Sequence, residues 1–401
     1  MKRDVIIVNF VLGGGGDHAL GDKTKELVLS VGASGVHMTC QGGIRNISIL
    51  KKLTFGKQIT HYSNPLIIVT PYNLISPEDL PAILREVMAS YHCQSDTLIM
   101  IDEMDMNRDF NAGESDYREA LSILKFKSVI IRDLGFTEHS IGYFPMDKDE
   151  VIRISKKSKN EIIKCLDGYN MSLPDQCDLY LAYLSSSSVV KSAYTFTINT
   201  LIEDATRNKN AVYLLVVRQD SQIHHFIEQL KKLLLSEKYT HLFSRCEFSS
   251  SIDNGYLNLI GAIPGRGEKR IHICMTKSIP MTMFKNFTHR SRAGMMSGDQ
   301  SLSDYLSLKH KLPYYDKQPW KDPLAEGLFR QAKEVGGIAL LEKIESLVVG
   351  PNGRESGIMA RLLDPGYIKT PDQKESLKRF NHELYLKQAD KKIKELLLQC
   401  L

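Results

Sequence analysis

Residues 297–304, Ser-Gly-Asp-Gln-Ser-Leu-Ser-Asp, have the composition of a phosphate-binding helix start. A short strand is predicted over residues 293–296, and Gly298 lets the backbone turn tightly into a helix. The first N–H groups of a helix have no partner within it, and the helix dipole places positive potential there. At the carboxyl edge of a parallel sheet, such a helix start suits a phosphate group. The alternative is a capped helix with nothing bound, in which Asp299 is the cap.

A run of four glycines directly follows the first predicted strand, residues 5–10. These residues are Gly13, Gly14, Gly15 and Gly16. They let a loop approach a ligand without intervening side chains. Ordering four glycines costs more conformational entropy than ordering other residues, which favours a function for the loop. Asp17 and His18 come next, and either could act as a general base that takes a proton from a hydroxyl. The alternative is a plain connection with His18 at the surface.

Asp102 and Glu103 follow a strand predicted over residues 97–101, and Asp105 lies two positions further on. Acidic side chains at the carboxyl end of a parallel strand are well placed to bind a metal ion or a substrate. Apolar residues followed by Asp-Glu also match a Walker B segment, whose acid serves Mg²⁺-dependent nucleotide hydrolysis.

Residues 16–24, Gly-Asp-His-Ala-Leu-Gly-Asp-Lys-Thr, resemble the P-loop pattern G-x-x-x-x-G-K-[ST]. Asp22, however, intrudes before Lys23, whereas the lysine of a P-loop follows the glycine and folds back onto the phosphates. One extra residue rotates the lysine by about 100° around the new helix. A P-loop-like NTPase that uses this segment with Asp102 and Glu103 is therefore kept as an alternative function.

The elements that must position these residues follow an α/β rhythm in both halves of the chain. Short apolar runs alternate with helix-like segments, which predicts parallel sheets covered by helices on both faces. The predicted strands are residues 5–10, 66–70, 97–101, 128–131, 179–184, 212–217, 270–275, 293–296 and 312–315. We predict domains at 1–172 and 173–370, followed by an amphipathic C-terminal helix over 371–401 that packs back on the body.

Length and composition exclude several classes of protein. A chain of 401 residues is too long for one ordinary core, and 42% hydrophobic with 25% charged residues is typical of a globular protein. The net charge of +5 is spread along the chain, so we expect no nucleic-acid partner. Seven scattered cysteines without a CxxC pair favour a reducing, cytoplasmic compartment. No apolar run approaches the roughly 20 residues of a transmembrane helix.

Residues 280–321, PMTMFKNFTHRSRAGMMSGDQSLSDYLSLKHKLPYYDKQPWK, resemble the donor-binding part of GT-B glycosyltransferases. In that family the region comprises a surface helix, a short strand, a glycine turn, a helix with a hydroxyl or acidic residue near its start, and a strand with an apolar-Pro pair. The resemblance covers residues 180–330 and the first half in outline. It implies an α/β fold of two Rossmann-like domains facing a cleft, a nucleotide-sugar donor and catalysis that needs no metal. The C-terminal helix would brace the two lobes.

Carried over residue by residue, the resemblance implies a donor site in the second half. Arg218 follows the strand 212–217 and would pair with the donor diphosphate. Lys277 and Ser278 would lie near the base or the ribose. The diphosphate or the sugar would meet the helix start at Gly298, Asp299, Gln300 and Ser301, with Asp304 one turn later.

On the acceptor side, the glycine run resembles the acceptor loop of GT-B enzymes. This implies that Asp17 or His18 is the general base for an acceptor hydroxyl or a protein side chain. No metal and no further cofactor is implied besides the nucleotide-sugar. The departures from the family pattern suggest a divergent bacterial protein. Such a protein could also be one that is delivered into the cytoplasm of another cell.

Three alternatives stay open beside this resemblance. One is the P-loop-like NTPase. Another is the GT-A type of glycosyltransferase, in which Asp102, Glu103 or Asp105 would hold a metal ion. The third is a non-catalytic module that binds a phosphorylated ligand or a protein partner.

Overall fold

The computed structural model describes residues 3–11, 15–33, 36–42, 62–106, 113–157, 177–185, 188–218, 223–251, 258–350 and 370–401. The chain forms two compact units. Unit 1 is assembled from Met1–Pro145, Trp320–Gly327 and Lys387–Leu401, and unit 2 from Met146–Pro319 and Leu328–Leu386. The predicted boundary between residues 172 and 173 lies outside the described residues. The predicted cleft and the bracing role of the C-terminal helix stay predictions.

Unit 1 contains a five-stranded parallel sheet in the order β2-β1-β3-β4-β5. Its elements are β1 (Val5–Val11), α1 (Gly15–Ser30), β2 (Val36–Gly42), β3 (Leu66–Thr70), α2 (Leu80–Ser90), β4 (Thr97–Met104), α3 (Glu114–Leu121) and β5 (Ser128–Leu134). Strands β1 and β3 and the first half of β4 are mainly apolar and buried, because helices cover both faces of a parallel sheet.

Unit 2 contains an eight-stranded sheet. The elements that follow β5 in the chain are α4 (Lys148–Lys156), β6 (Asp178–Leu184), α5 (Val189–Glu203), β7 (Ala211–Val217), α6 (Ile223–Leu234), α7 (Glu237–Thr240), β8 (Arg245–Ser250), β9 (Asn258–Pro264), β10 (Arg270–Thr276), α8 (Met281–Arg290), β11 (Ala293–Met296), α9 (Asp299–Lys309), β12 (Tyr314–Asp316), α10 (Asp322–Leu347), β13 (Val348–Val349), α11 (Pro371–Leu386) and α12 (Ala389–Cys400).

The strand order of unit 2 is β13-β12-β11-β6-β7-β10-β8-β9, and only β9 is antiparallel to its neighbour among these strands. Without the β8–β9 pair, the order is that of the dinucleotide-binding Rossmann sheet, 3-2-1-4-5-6. Unit 1 has the other common doubly wound order, 2-1-3-4-5. The prediction of an α/β chain with two Rossmann-like domains is therefore confirmed.

The C-terminal tail forms two helices, α11 and α12, where the sequence pattern predicts one. The break lies at Lys387, whose carbonyl accepts a hydrogen bond from the N–H of Tyr143 at 2.9 Å. Gly142 permits this close approach, because a Cβ there would lie 2.1 Å from the Lys387 oxygen. Helix α12 packs beside α1 and buries Ile393 and Leu397. None of the described helices combines the length and apolar character needed to cross a membrane.

Candidate functional site

The sheet of unit 2 has a topological switch point between β6 and β11. From β6 the chain continues through β7 toward one edge, and it later returns to place β11, β12 and β13 on the other side. Ligands of open parallel sheets bind outside the carboxyl ends of the strands at such a point. Ser185 follows β6 and Ser297 follows β11, and their hydroxyl oxygens lie 2.8 Å apart. The two strand ends thus meet in a polar contact.

A glutamine completes a polar cluster at this point. Gln318 donates from Nε2 to the hydroxyl of Ser185 at 3.1 Å and to that of Ser297 at 3.3 Å. We call Ser185, Ser297 and Gln318 the switch-point cluster. Its hydroxyl and amide groups are uncharged, and the buried hydroxyl of Ser297 also donates to the carbonyl of Asp316 at 3.0 Å.

Asp316, at the end of β12, holds this cluster in place. Its carboxylate is fully buried and accepts a hydrogen bond from the backbone N–H of Ser185 at 3.0 Å. It accepts another from the hydroxyl of Ser192 in α5. Hydrogen bonds to an ionised acceptor are roughly twice as strong as neutral ones. Asp316 therefore ties the loop after β6 and the start of α5 to β12, which makes it a positioning residue.

Helices α5 and α9 both begin near the switch-point cluster. They have 15 and 11 residues, and the N-cap residues, Ser188 and Gly298, make no side-chain capping hydrogen bond. Their first N–H groups and positive dipole ends therefore act at the same place. Gly298 precedes α9 with φ 88° and ψ 161°, a backbone conformation essentially restricted to glycine. A Cβ at Gly298 would meet no described atom within 4 Å, so the strain comes from the backbone and not from crowding.

Helix α9 packs closely on β11. Gly294 in β11 lies under Tyr305 of α9, and a Cβ at Gly294 would be 2.4 Å from that ring. Burial raises the pKa of the Tyr305 phenol well above its ordinary value, so the ring stays neutral at any physiological pH. A neutral, fully buried ring anchors α9 while its N-terminal residues lie at the carboxyl edge of the sheet.

The predicted donor residues of α9 differ in what their side chains do. Gln300 is exposed and donates to Asp304 at 2.8 Å, and Asp304 is buried. The hydroxyl of Ser301 donates back to the carbonyl of Ser297 at 2.8 Å, so a ligand would meet the backbone N–H of Ser301. Asp299 occupies the first helical position. Its carboxylate suits a sugar hydroxyl better than a phosphate, because like charges repel.

The other predicted donor residues lie along the same edge of the sheet. Arg218 follows β7 and is exposed, and its guanidinium lies 3.4 Å from the hydroxyl of Tyr183. Lys277 and Ser278 follow β10 and are exposed as well. Neighbouring strands are about 4.8 Å apart, so the ends of β7 and β10 lie roughly 10 and 14 Å from that of β11. The structure therefore brings the predicted residues to one edge, spread over the length of a nucleotide.

Two lysines that the sequence patterns do not reveal also lie at this edge. Lys191, in the first turn of α5, donates to the carbonyl of Gly350 at 3.3 Å. Lys317 follows β12 and is only 6% exposed. Gly350 passes closely over it, since a Cβ there would be 2.8 Å from Cε of Lys317. Their positions depend on how β12, β13 and α5 come together, which no local motif reveals.

Unit 1 has its own switch point, between β1 and β3. Asn9 is buried there and donates from Nδ2 to the carbonyls of Asp17 at 3.0 Å and Thr70 at 2.9 Å. The hydroxyl of Thr70 and Oδ1 of Asn73 are buried without a hydrogen-bond partner among the described residues. Buried polar atoms are rarely left unsatisfied. Two such oxygens therefore lie buried near the carboxyl edge of unit 1.

The predicted glycine loop is in part helical. Helix α1 begins at Gly15, so Gly15 and Gly16 form its first turn, and Gly13 and Gly14 lie outside the described residues. Asp17 is buried at 8% exposure, and His18 is exposed.

Asp102 and Glu103 were predicted to follow a strand that ends at residue 101. In the structure they lie within the last residues of β4, which continues to Met104. A Cβ at Gly16 would lie 3.8 Å from Oε1 of Glu103, which places Glu103 beside the start of α1. Lys321, 2% exposed, donates to the carbonyl of Met104 at 2.7 Å and lies 3.9 Å from Glu103. Sequence patterns give no sign of Lys321, because residues 320–327 join unit 1 from a distant part of the chain.

Asp105 has a structural role that disfavours the GT-A alternative. Its carboxylate accepts hydrogen bonds from the backbone N–H groups of Phe136 and Thr137 and from the hydroxyls of Thr137 and Ser140. These contacts hold the chain after β5. Among the described residues, no group of three or more His, Cys, Asp and Glu side chains is placed to hold a metal ion.

The P-loop alternative is also disfavoured. Lys23 lies eight residues beyond Gly15 within α1, about 12 Å along the helix, and its ammonium pairs with Glu26 at 3.1 Å. The hydroxyl of Thr24 donates to the carbonyl of Leu20 at 2.9 Å. Residues 16–24 are therefore helix and not a phosphate-binding loop.

Several solved structures align with nearly the whole chain at low sequence identity. One, described as trehalose-6-phosphate from E. coli bound with UDP-2-fluoro glucose, has a TM-score of 0.47 and 9% identity, over 99% of this chain and 98% of that chain. The S. aureus MnaA–UDP complex has a TM-score of 0.42 and 9% identity, over 98% and 95%. A glycosyltransferase from Rickettsia africae ESF-5 has a TM-score of 0.43 and 10% identity, over 100% and 96%.

No protein-family model matches the sequence, and no curated protein matches it.

Proposed function

We propose that this protein is a glycosyltransferase that moves a sugar from a nucleotide-sugar donor to an acceptor. The observation that carries the proposal is the convergence of two uncapped helix starts, α5 and α9, on the switch-point cluster of unit 2. A diphosphate there would accept hydrogen bonds from neutral donors and experience two positive helix ends.

This arrangement matches the chemistry of sugar transfer. The nucleoside diphosphate leaves with developing negative charge, and fixed donors aimed at that charge stabilise the transition state electrostatically. Arg218, Lys191 and Lys317 add cations along the same edge. These groups require no metal, so the proposal includes activity that survives a chelator.

The acceptor would be bound by unit 1. Glu103, beside the start of α1, can take hydrogen bonds from acceptor hydroxyls. Asp17, in the first turn of α1, is the expected general base, and His18 is the alternative.

A donor screen tests the proposal. We expect one class among UDP-, GDP-, TDP- and ADP-sugars to raise the thermal unfolding temperature equally with and without EDTA, because folded-state binding adds about 2.7 kcal/mol at a hundredfold excess over Kd. Differential scanning fluorimetry measures this shift, and release of the free nucleoside diphosphate measures turnover. Asp299→Ala should lose the shift. Asp372→Ala, which alters the first turn of α11 in the same unit, should keep it.

Two outcomes contradict this proposal. A shift seen only with ATP or GTP and Mg²⁺, and lost in Lys23→Ala, indicates an NTPase centred on unit 1. A nucleotide-sugar shift without turnover on any acceptor indicates a non-catalytic binding module.

Substitution of the proposed general base should lower the rate of sugar transfer without affecting donor binding. We expect Asp17→Asn to lower kcat by about 10²–10⁴-fold while the thermal shift with the donor is unchanged, because the amide cannot accept the acceptor proton. His18→Gln should retain activity within severalfold. If the two variants show the reverse pattern, His18 is the base. If neither lowers kcat, the base lies elsewhere.

A further inference from the structure

Trp320, the one tryptophan of the chain, has a side chain that folding leaves partly uncovered in unit 1. It is 44% exposed, although the next residue, Lys321, is 2% exposed. Tryptophan is highly buried on average, and its large, rigid ring is among the most frequent anchors in binding sites. The ring of Trp320 is therefore available to a ligand.

The residues after Trp320 are anchored at the carboxyl edge of the unit 1 sheet. Lys321 donates from its ammonium to the carbonyl of Met104, the last residue of β4, at 2.7 Å. Gly327 packs on the chain after β5, where a Cβ would be 2.8 Å from the backbone nitrogen of Thr137. Successive Cα atoms are about 3.8 Å apart, so the backbone of Trp320 lies next to this anchor.

Glu103 supplies a carboxylate beside the same anchor. Its Oε2 lies 3.9 Å from the ammonium of Lys321, and its side chain is 16% exposed. Its Oε1 lies 3.8 Å from where a Cβ would be at Gly16, in the first turn of α1. One oxygen thus faces a fixed cation, and the other faces a residue without a side chain. A carboxylate held in this way can accept hydrogen bonds from the hydroxyls of a ligand.

An indole ring and a carboxylate together suit a sugar ring. The C–H groups on one face of a pyranose are apolar with slight positive charge, and they pack on the negative face of the indole. The sugar hydroxyls donate to the carboxylate. A nucleotide phosphate would be repelled by Glu103. A cationic peptide would gain little, because Lys321 already offsets the charge of Glu103.

We propose that Trp320 and Glu103 form a saccharide subsite in unit 1, and that the acceptor of the transfer reaction is a sugar. Lys321 is a positioning residue that acts through Glu103. Gly16 precedes Asp17, the expected general base, so a hydroxyl bound by Glu103 is brought to the first turn of α1. The assignment of the sugar as acceptor rests on the proposed function, whereas saccharide binding itself does not.

The single indole provides a direct readout of binding. Tryptophan fluorescence of the full chain is titrated with glucose, maltose, cellobiose and N,N′-diacetylchitobiose up to about 50 mM, a range that detects a Kd of several millimolar. We expect at least one of these sugars to change the emission of Trp320 saturably. Glycerol, which has hydroxyls but no ring face, should leave the emission unchanged.

Variants test the two contacts by isothermal titration calorimetry with the sugar that responds. Trp320→Ala should weaken affinity about tenfold, and Trp320→Phe, which keeps an aromatic face, less than about threefold. Glu103→Gln should weaken it about fivefold, because a hydrogen bond to a charged group is lost. Ile123→Ala alters another exposed side chain of unit 1, 62% exposed, and should leave affinity unchanged. Circular dichroism and thermal melts confirm that each variant is folded.

A double-mutant cycle tests the positioning role of Lys321. Lys321→Met should weaken affinity as much as Glu103→Gln, and the double variant should be no weaker than either single variant. Lys321→Arg, which keeps the positive charge, should retain most of the affinity. Losses that add in the double variant contradict a role through Glu103.

No response to any of the four sugars overturns the proposal. A response to UMP or GMP alone assigns Trp320 to the base of the donor and also overturns it, as does equal loss of affinity in Ile123→Ala. Saccharide binding without a thermal shift by any nucleotide-sugar supports the subsite and contradicts the transferase. The failure of the subsite and the failure of the proposed function are thus distinguishable.

Discussion

Gly298→Ala is expected to lower kcat/KM for sugar transfer by about 10²-fold, the effect of losing an oxyanion-type donor. With φ 88° and ψ 161°, Gly298 adopts a conformation that costs another residue about 1–3 kcal/mol. Alanine can relieve that cost only by rotating the backbone, because no side chain crowds the position. The rotation would turn the first N–H groups of α9 away from the switch-point cluster. Steady-state kinetics with the donor identified in the screen measure the loss.

The chain offers a matched control in Gly337. This glycine has φ 66° and ψ −157° at a break within α10, and a Cβ there would also meet nothing within 4 Å. Gly337→Ala should therefore lose a similar amount of stability and keep kcat/KM within about twofold. Equal loss of activity in both variants would show that alanine acts through stability alone. Full activity in Gly298→Ala would remove the start of α9 from the donor site.

The second large effect is expected at Asp204, at the amino edge of the unit 2 sheet. Its carboxylate accepts two hydrogen bonds from the Arg292 guanidinium, each at 2.6 Å, and one from the hydroxyl of Tyr180. We expect Asp204→Asn to lower the free energy of unfolding by about 2–4 kcal/mol. This is less than the roughly 3–5 kcal/mol of a fully buried pair, because the Arg292 side chain is 40% exposed. Calorimetry should show a drop in Tm of roughly 4–8 °C.

The pH dependence of that loss has a definite sign. Burial opposes the charged form of Asp204, but hydrogen bonds from Arg292 and Tyr180 outweigh it and lower the pKa below its usual value. The stabilisation is therefore present above the ordinary aspartate pKa of about 3.9 and disappears as the pH falls through the lowered pKa. The difference between wild type and Asp204→Asn should be constant from pH 6 to 8 and shrink below about pH 4.

The control for Asp204 is an exposed ion pair in the same unit. Glu375 and Lys378 are 3.4 Å apart with side chains about three-quarters exposed, at 74% and 76%. Glu375→Gln should change the free energy of unfolding by less than about 0.5 kcal/mol. If Asp204→Asn lowered the free energy of unfolding by as little as this, the contacts of Asp204 with Arg292 and Tyr180 would not stabilise the fold.

The sequence predicts the fold well where strands are continuous apolar runs. Strands β1, β3, β6 and β11 lie within one or two residues of their predicted bounds, since buried parallel strands leave an unbroken apolar signal. Strand β9 is interrupted by Gly261 and ends in Pro264, and its pattern resembles a loop. Helix α1 begins at Gly15 although glycine disfavours helix, so local propensity does not predict this start.

The candidate site was predictable only where it is local. The glycine turn and helix at Gly298 form one continuous segment, and the sequence places them correctly. Ser185 lies more than a hundred residues before Asp316 and Gln318, and it meets them only because β6 and β12 flank β11. Lys321 reaches the acids of β4 from more than two hundred residues away. Pairings of this kind depend on strand order, which local patterns do not encode.

The discontinuous make-up of unit 1 has a consequence for its synthesis. Domains generally fold as they leave the ribosome, N-terminal units first. Here Arg3 donates to the carbonyl of Cys400 at 3.1 Å, and α12 packs beside α1. The first 145 residues alone therefore lack two parts of unit 1. One is helix α12, which contributes the buried side chains of Ile393 and Leu397, and the other is Lys321, which lies beside Glu103. Unit 2 can complete its sheet while the nascent chain is still attached, so the first unit to be translated is the last to finish folding.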